Sequence, residues 1–69
     1  MTVRVSINGE SRELTAGTTV ADVVAGLAPA AGRGIAVAVN DDVVPRADWP
    51  GTVLADADRV EVLTAVQGG

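Results

Sequence analysis

The chain contains no cysteine, no histidine and no lysine. The absence of cysteine excludes disulfide scaffolds, thiolate metal ligands and cysteine nucleophiles. The absence of histidine excludes zinc–imidazole sites and Ser-His-Asp triads. The absence of lysine excludes side-chain Schiff bases and the phosphate-binding P-loop. Few side chains remain that could catalyse a reaction.

Basic residues are also scarce: five Arg stand against nine acidic residues, which gives a formal charge of −4 and a pI near 4.3. Nonspecific nucleic-acid binding requires cationic charge that releases counterions from phosphate, so we expect no nucleic-acid partner. The apolar runs are too short to span a bilayer, and the first residues lack the apolar segment of a signal peptide. We therefore expect a cytoplasmic protein without a membrane partner.

Aromatic residues are nearly absent, because Trp49 is the only one among 69 residues. A chain of this length forms one small domain that buries only about 60% of its unfolded surface, so its core is thin. Val and Ala supply most of the apolar mass, and Val favours strands. We predict that Trp49 fills one end of this aliphatic core.

The first segment predicts a β-hairpin. Val3, Val5 and Ile7 alternate with polar residues, which is typical of a half-buried strand. Asn8-Gly9 follows, and both residues tolerate the positive φ of a type I′ turn. A second strand is predicted over residues 10–14, antiparallel to the first.

A short helix is predicted next, because apolar residues recur at i, i+3, i+4 and i+7, namely Val20, Val23, Val24 and Leu27. Thr19 is a candidate N-cap, and Asp22 follows at close to the capping-box spacing. Gly26, Pro29 and Gly32 are expected to limit the far end of the helix.

Alternation over residues 35–39 predicts a third strand, and Asn40-Asp41-Asp42 predicts a turn. Val43-Val44 is predicted as a short strand, and residues 59–66 as the last strand. Residues 46–58 between them show little periodicity. The order predicts an α+β fold, a β-grasp (ubiquitin-like) roll whose mixed sheet carries one main helix on one face. This domain would comprise residues 1–64, followed by a flexible tail over residues 65–69.

Two features remain as candidate sites within the domain. Acidic pairs at residues 41–42 and at residues 56 and 58 are interpreted as turn residues, and no metal site is expected. Arg46 has two readings: a solvated loop charge, or part of a partner-binding corner beside Trp49.

Strand alternation predicts a partner-binding surface on the open face of the sheet. If the valines of the last strand face the helix, Glu61 and Leu63 face outward. Ala36 and Ala38 face outward by the same argument. A shallow apolar patch beside the emerging tail would result.

The chain ends in Gly68-Gly69, which is either a frayed end or a reactive tail. Because Gly has no Cβ, such a tail can enter a tunnel too narrow for side chains. Residues 65–69 could extend roughly 16 Å from the domain into the active site of another protein. The Gly69 carboxylate could there attack the α-phosphate of ATP and become an acyl-adenylate.

Several segments in order carry a resemblance to a known family: VSINGE at 5–10, TTVAD at 18–22, IAVAVN at 35–40, VVPR at 43–46 and DRVEVLTAVQGG at 58–69. With Trp49 and Leu54 between them, the chain resembles the ThiS family of sulfur carrier proteins in thiamine (thiazole) biosynthesis. It departs from the family at Ala57, where Gly is common, and at Val23-Val24, where Leu is usual.

The resemblance implies a protein cosubstrate, not an enzyme, with no stably bound cofactor. A ThiF-type, E1-like adenylyltransferase would use ATP and Mg to activate Gly69, at the end of a tail that includes Val66, Gln67 and Gly68. Persulfide sulfur, from a donor such as cysteine desulfurase, would displace AMP and leave a thiocarboxylate. A ThiG-type thiazole synthase would consume that sulfur.

Two alternatives remain at this stage. The chain could be a sulfur carrier of another pathway, such as the small subunit of molybdopterin synthase or a tRNA-thiolation carrier. It could also be a ubiquitin-like interaction module whose tail is inert.

Overall fold

The computed structural model describes residues 1–27 and 34–64, and residues 28–33 and 65–69 lie outside the description. The described elements are, in chain order, β1 (Thr2–Ile7), β2 (Glu10–Thr15), α1 (Val20–Leu27), β3 (Ile35–Val39), β4 (Asp42–Val44), a 3-10 helix (Arg46–Gly51) and β5 (Arg59–Thr64). The strands form one sheet in the order β2-β1-β5-β3-β4.

The sheet is mixed, as the element order predicted. β5 lies in the centre, parallel to β1 and antiparallel to β3. The outer pairs, β1 with β2 and β3 with β4, are antiparallel hairpins. The core cluster joins residues of α1 to one face of this sheet. Among the described residues, the other face carries exposed side chains such as Val43 and Leu63. This arrangement confirms the predicted β-grasp fold.

Both hairpins close with two-residue turns of positive φ. Asn8 and Gly9 have φ of 51° and 86°, so the predicted type I′ geometry is compatible with this turn. Asn40 and Asp41 have φ of 52° and 73°. Asp42 was expected within that second turn, but it pairs with Val39 and begins β4. Two residues suffice here because Asn and Asp tolerate the left-handed region.

The helix begins as its sequence predicts. The backbone N–H of Thr19 donates to Oδ2 of Asp22 at 3.0 Å, and the N–H of Asp22 donates to Oγ1 of Thr19 at 3.2 Å. These reciprocal bonds satisfy donors that the first turn leaves unpaired. Gly26 was expected to limit the helix, but it lies inside α1. Pro29 and Gly32 lie outside the described residues.

The core is aliphatic and closed by one indole ring. Its buried members are Val5, Ile7, Val20, Val23, Val24, Val37, Trp49, Leu54, Val60 and Val62. The predicted core position of Trp49 is confirmed, and its Nε1 donates to the carbonyl of Val44 at 2.9 Å. The segment that carries it was predicted as irregular and is instead a 3-10 helix. No helix within the described ranges is long and apolar enough to cross a membrane.

Candidate functional site

β5 presents one set of side chains to the core and another to the open face of the sheet. Val60 is fully buried and Val62 is 8% exposed, whereas Leu63 is 65% exposed. Glu61 is also exposed. The predicted orientation of the two faces of this strand is therefore confirmed.

The register brings the predicted outward residues together. Ala36 lies opposite Leu63, and Ala38 lies opposite Glu61. On the far side of Ala38 lies Val43 of β4, which is 75% exposed. We call Ala36, Ala38, Val43 and Leu63 the apolar face.

Val43 is the member of this face that sequence reasoning missed. The signal was the length of the preceding turn. A two-residue turn places Val39 opposite Asp42, so Val43 lies opposite Ala38 and shares its face.

Charged residues border the apolar face along β5. Arg59 and Glu61 alternate with the buried valines, and Arg59 Nη2 lies 2.6 Å from Oδ2 of Asp41. This hydrogen bond, together with the charge of Asp41, raises the pKa of the Arg59 guanidinium above its ordinary value. Both partners are exposed, so the pair is a surface feature and contributes little to stability.

Arg46 belongs to a different part of the surface. It begins the 3-10 helix, which contacts α1, and its Cζ lies 5.0 Å from the centre of the Trp49 ring. This is the geometry of a cation–π contact with the buried indole. The structure therefore places Arg46 beside Trp49, and a partner-binding role for this corner stays a prediction.

The acidic turn residues serve the fold. Asp56 Oδ1 accepts the backbone N–H of Arg4 at 2.7 Å. Asp58 accepts from Asn40 Nδ2 at 2.9 Å and from the backbone N–H of Ala55 at 2.8 Å. In residues 1–27 and 34–64, no group of three or more acidic, His or Cys side chains could hold a metal ion.

The description of β5 ends at Thr64, which pairs with Ile35. The predicted reactive residue Gly69 and the tail residues Val66, Gln67 and Gly68 lie outside the described residues. Leu63 is the residue next to Thr64, so the apolar face adjoins the point where the tail begins.

Comparison with known proteins identifies the family. The sequence profile of the ThiS family matches residues 5–69. The chain belongs to the ThiS family. A search of curated proteins finds no match. Among solved structures, the thiamine biosynthesis protein ThiS from Geobacter metallireducens is similar, with 26% sequence identity and a TM-score of 0.78. The similarity covers 97% of this chain and 100% of that one.

Family membership defines the general role. ThiS proteins are small sulfur carriers and not catalysts, and this chain accordingly has a sulfur carrier role in thiamine biosynthesis. The absence of cysteine, histidine and lysine agrees with that role, because a carrier that is not a catalyst needs no catalytic side chain.

Proposed function

We propose that this chain carries sulfur as a thiocarboxylate on Gly69. A ThiF-type adenylyltransferase joins the Gly69 carboxylate to the α-phosphate of ATP, with Mg as its cofactor, and releases pyrophosphate. A sulfur nucleophile then attacks the acyl carbon and AMP leaves. With sulfide the product is the thiocarboxylate itself; with a persulfide it is an acyl disulfide, which a thiol reduces to the thiocarboxylate. Because activation uses ATP, we place these steps in the cytoplasm.

The observation that carries the proposal is the extent of the family match, which includes Gly68 and Gly69. The side-chain inventory gives further support. With no Cys, His or Lys in the chain, a main-chain carboxylate is the best candidate for a group that accepts and releases sulfur.

We further propose that the apolar face binds the partners. It combines an exposed Leu63 with small neighbours that let another surface approach closely. The net charge of −4 and the exposed Glu61 favour a basic rim on the partner. The same face would serve a ThiF-type enzyme during loading and a ThiG-type thiazole synthase during delivery, one after the other.

The test is intact-mass spectrometry of the carrier after incubation with its ThiF-type enzyme, MgATP and inorganic sulfide. A mass increase equal to the exchange of one oxygen for sulfur, located to Gly69 by fragmentation, supports the proposal. A reaction without ATP is the control. A second carrier protein that the same enzyme activates with ATP serves as the positive control. If the enzyme is active on that carrier and the mass of this chain stays unchanged in the complete reaction, the proposal is contradicted.

A further inference from the structure

The parallel ladder between β1 and β5 ends before β5 does. The last backbone-paired residues are Ile7 and Val60, whereas β5 continues to Thr64. On its other side β5 stays paired with β3 as far as Thr64. One edge of the last four residues of β5, which lead into the tail, therefore has no strand beside it among the described residues.

The side chain of Asn8 makes the hydrogen bonds to this free edge of β5 that the next residue of a neighbouring strand would make. Its Oδ1 accepts the backbone N–H of Val62 at 2.8 Å, and its Nδ2 donates to the carbonyl of Val62 at 3.2 Å. Its own backbone N–H donates to the carbonyl of Val60 at 2.9 Å. Three hydrogen bonds thus join Asn8 to β5.

These bonds continue the pattern of the ladder. In a parallel pair, a residue of one strand donates to one residue of its neighbour and accepts from the residue two positions further along. Ser6 donates to Asp58 and Asn8 donates to Val60, so Val62 should next donate to the carbonyl of Asn8. Because φ of Asn8 is 51°, the main chain turns away into the hairpin, and the side-chain amide supplies both the acceptor and the next donor.

Asparagine suits this position for two reasons. It tolerates the left-handed backbone that the turn requires, and its primary amide presents an acceptor and a donor side by side, which match the N–H and the carbonyl of the single residue Val62. An aspartate at position 8 would keep the side-chain acceptor for the N–H of Val62 and lose the donor to its carbonyl. A glycine would lose both groups and keep only the backbone conformation of the turn.

We propose that Asn8 is a positioning residue for the tail, and this inference rests on the proposed function of Gly69. By holding Val62, Asn8 fixes the path of β5 two residues before the end of the described strand. A fixed exit direction lowers the ordering cost when the tail enters the active site of the activating enzyme. Asn8 therefore acts on the binding of the carrier and leaves the chemical step unchanged.

A matched control exists at the opposite end of β5. Asn40 also opens a two-residue turn, with φ of 52°. Its Oδ1 accepts the N–H of Arg59 at 2.9 Å and its Nδ2 donates to Asp58 at 2.9 Å. Asn8→Gly and Asn40→Gly each remove two side-chain hydrogen bonds from the ends of β5 and leave a turn that glycine accommodates. Only the first change is next to the tail.

The experiment compares the two variants as substrates of the ThiF-type enzyme, with MgATP and sulfide. For Asn8→Gly we expect KM to rise about tenfold with kcat unchanged, since each of the two lost hydrogen bonds changes an equilibrium by about two- to tenfold. Asn8→Asp should give an intermediate KM, and Asn40→Gly should stay within about twofold of the parent chain. Equal KM values for the two glycine variants, or a loss confined to kcat, would overturn the proposal.

Amide hydrogen exchange tests the same contact without any enzyme. The amide of Val62 should lose protection in Asn8→Gly and keep it in Asn40→Gly, with Val37 as the internal reference. Unchanged exchange at Val62 would overturn the proposal. If the parent chain itself is not adenylated, the proposed function fails, and the exchange measurement alone decides whether Asn8 holds β5.

Discussion

Replacement of Leu63 by Asp tests the role of the apolar face. Leu63 is 65% exposed and lies opposite Ala36, so the fold buries only about a third of its surface. Full burial of a leucine contributes about 1.5–3 kcal/mol, and the buried third therefore accounts for about 0.5–1 kcal/mol. The lower strand propensity of Asp adds a cost of up to about 1 kcal/mol. The free energy of unfolding should fall by only about 0.5–2 kcal/mol.

The effect on partner binding should be as large or larger. A partner that covers the remaining two-thirds of the side chain would gain about 1–2 kcal/mol from that burial. Asp forfeits this gain and places a second carboxylate beside Glu61. We therefore expect binding to the ThiF-type and ThiG-type enzymes to weaken by about 1–3 kcal/mol, or roughly 5- to 150-fold in Kd.

Calorimetric titration with each enzyme measures Kd, and the fluorescence of Trp49 reports unfolding in the same samples. Val53→Asp is the matched control. Like Leu63, Val53 is an aliphatic residue with an exposed side chain, 58% accessible to solvent, but it pairs with Thr19 away from the apolar face. It should leave Kd unchanged. Parent-like affinity of Leu63→Asp for both enzymes would refute the assignment of this face, and complete unfolding of the variant would refute its energetic basis.

Three further predictions concern the tail and the core. Deletion of Gly69, or an unprocessed extension beyond it, should leave the thermal midpoint unchanged and abolish thiocarboxylate formation in the mass assay; normal loading of either form would contradict the carboxylate mechanism. Gly68→Val should block adenylation without unfolding, because a β-branched side chain narrows the backbone choices and adds bulk in a narrow channel; a parent-like adenylation rate would disprove the channel argument. Leu54→Ala should cost about 2–5 kcal/mol in urea unfolding, because Leu54 is only 2% exposed, and a loss well below 1 kcal/mol would show that the core collapses around the site.

Local patterns predicted the elements whose causes are local. The alternation up to Ile7 and the Asn8-Gly9 pair specify the first hairpin, because turn geometry and strand period act over a few neighbours. The Thr19–Asp22 capping box specifies the start of the helix for the same reason. The alternation along β5 also predicted which side chains face the core.

The parts that sequence reasoning missed depend on contacts between distant residues. The 3-10 helix forms where Trp49 packs into the core and its Nε1 donates to the carbonyl of Val44. Such a segment could not be predicted, because it has no periodic pattern of apolar residues. Val43 joins the apolar face through the register of a hairpin whose turn is one residue shorter than expected. Asn8 and Val62 are 54 residues apart in sequence. Their hydrogen bonds depend on the adjacency of β1 and β5 in the sheet, which local patterns do not specify.

β5 contributes both to the core and to the apolar face. Its buried positions, Val60 and Val62, hold the centre of the sheet, and the alternate position Leu63 contributes to the open face. Because buried and exposed positions alternate along one strand, a change that shifted its register by one residue would exchange the core side chains with those of the apolar face. The hydrogen bonds between Asn8 and Val62 oppose such a shift at the end of β5, where β1 no longer pairs with the strand. The register that separates the core from the apolar face is therefore held, near the end of β5, by the side chain of Asn8.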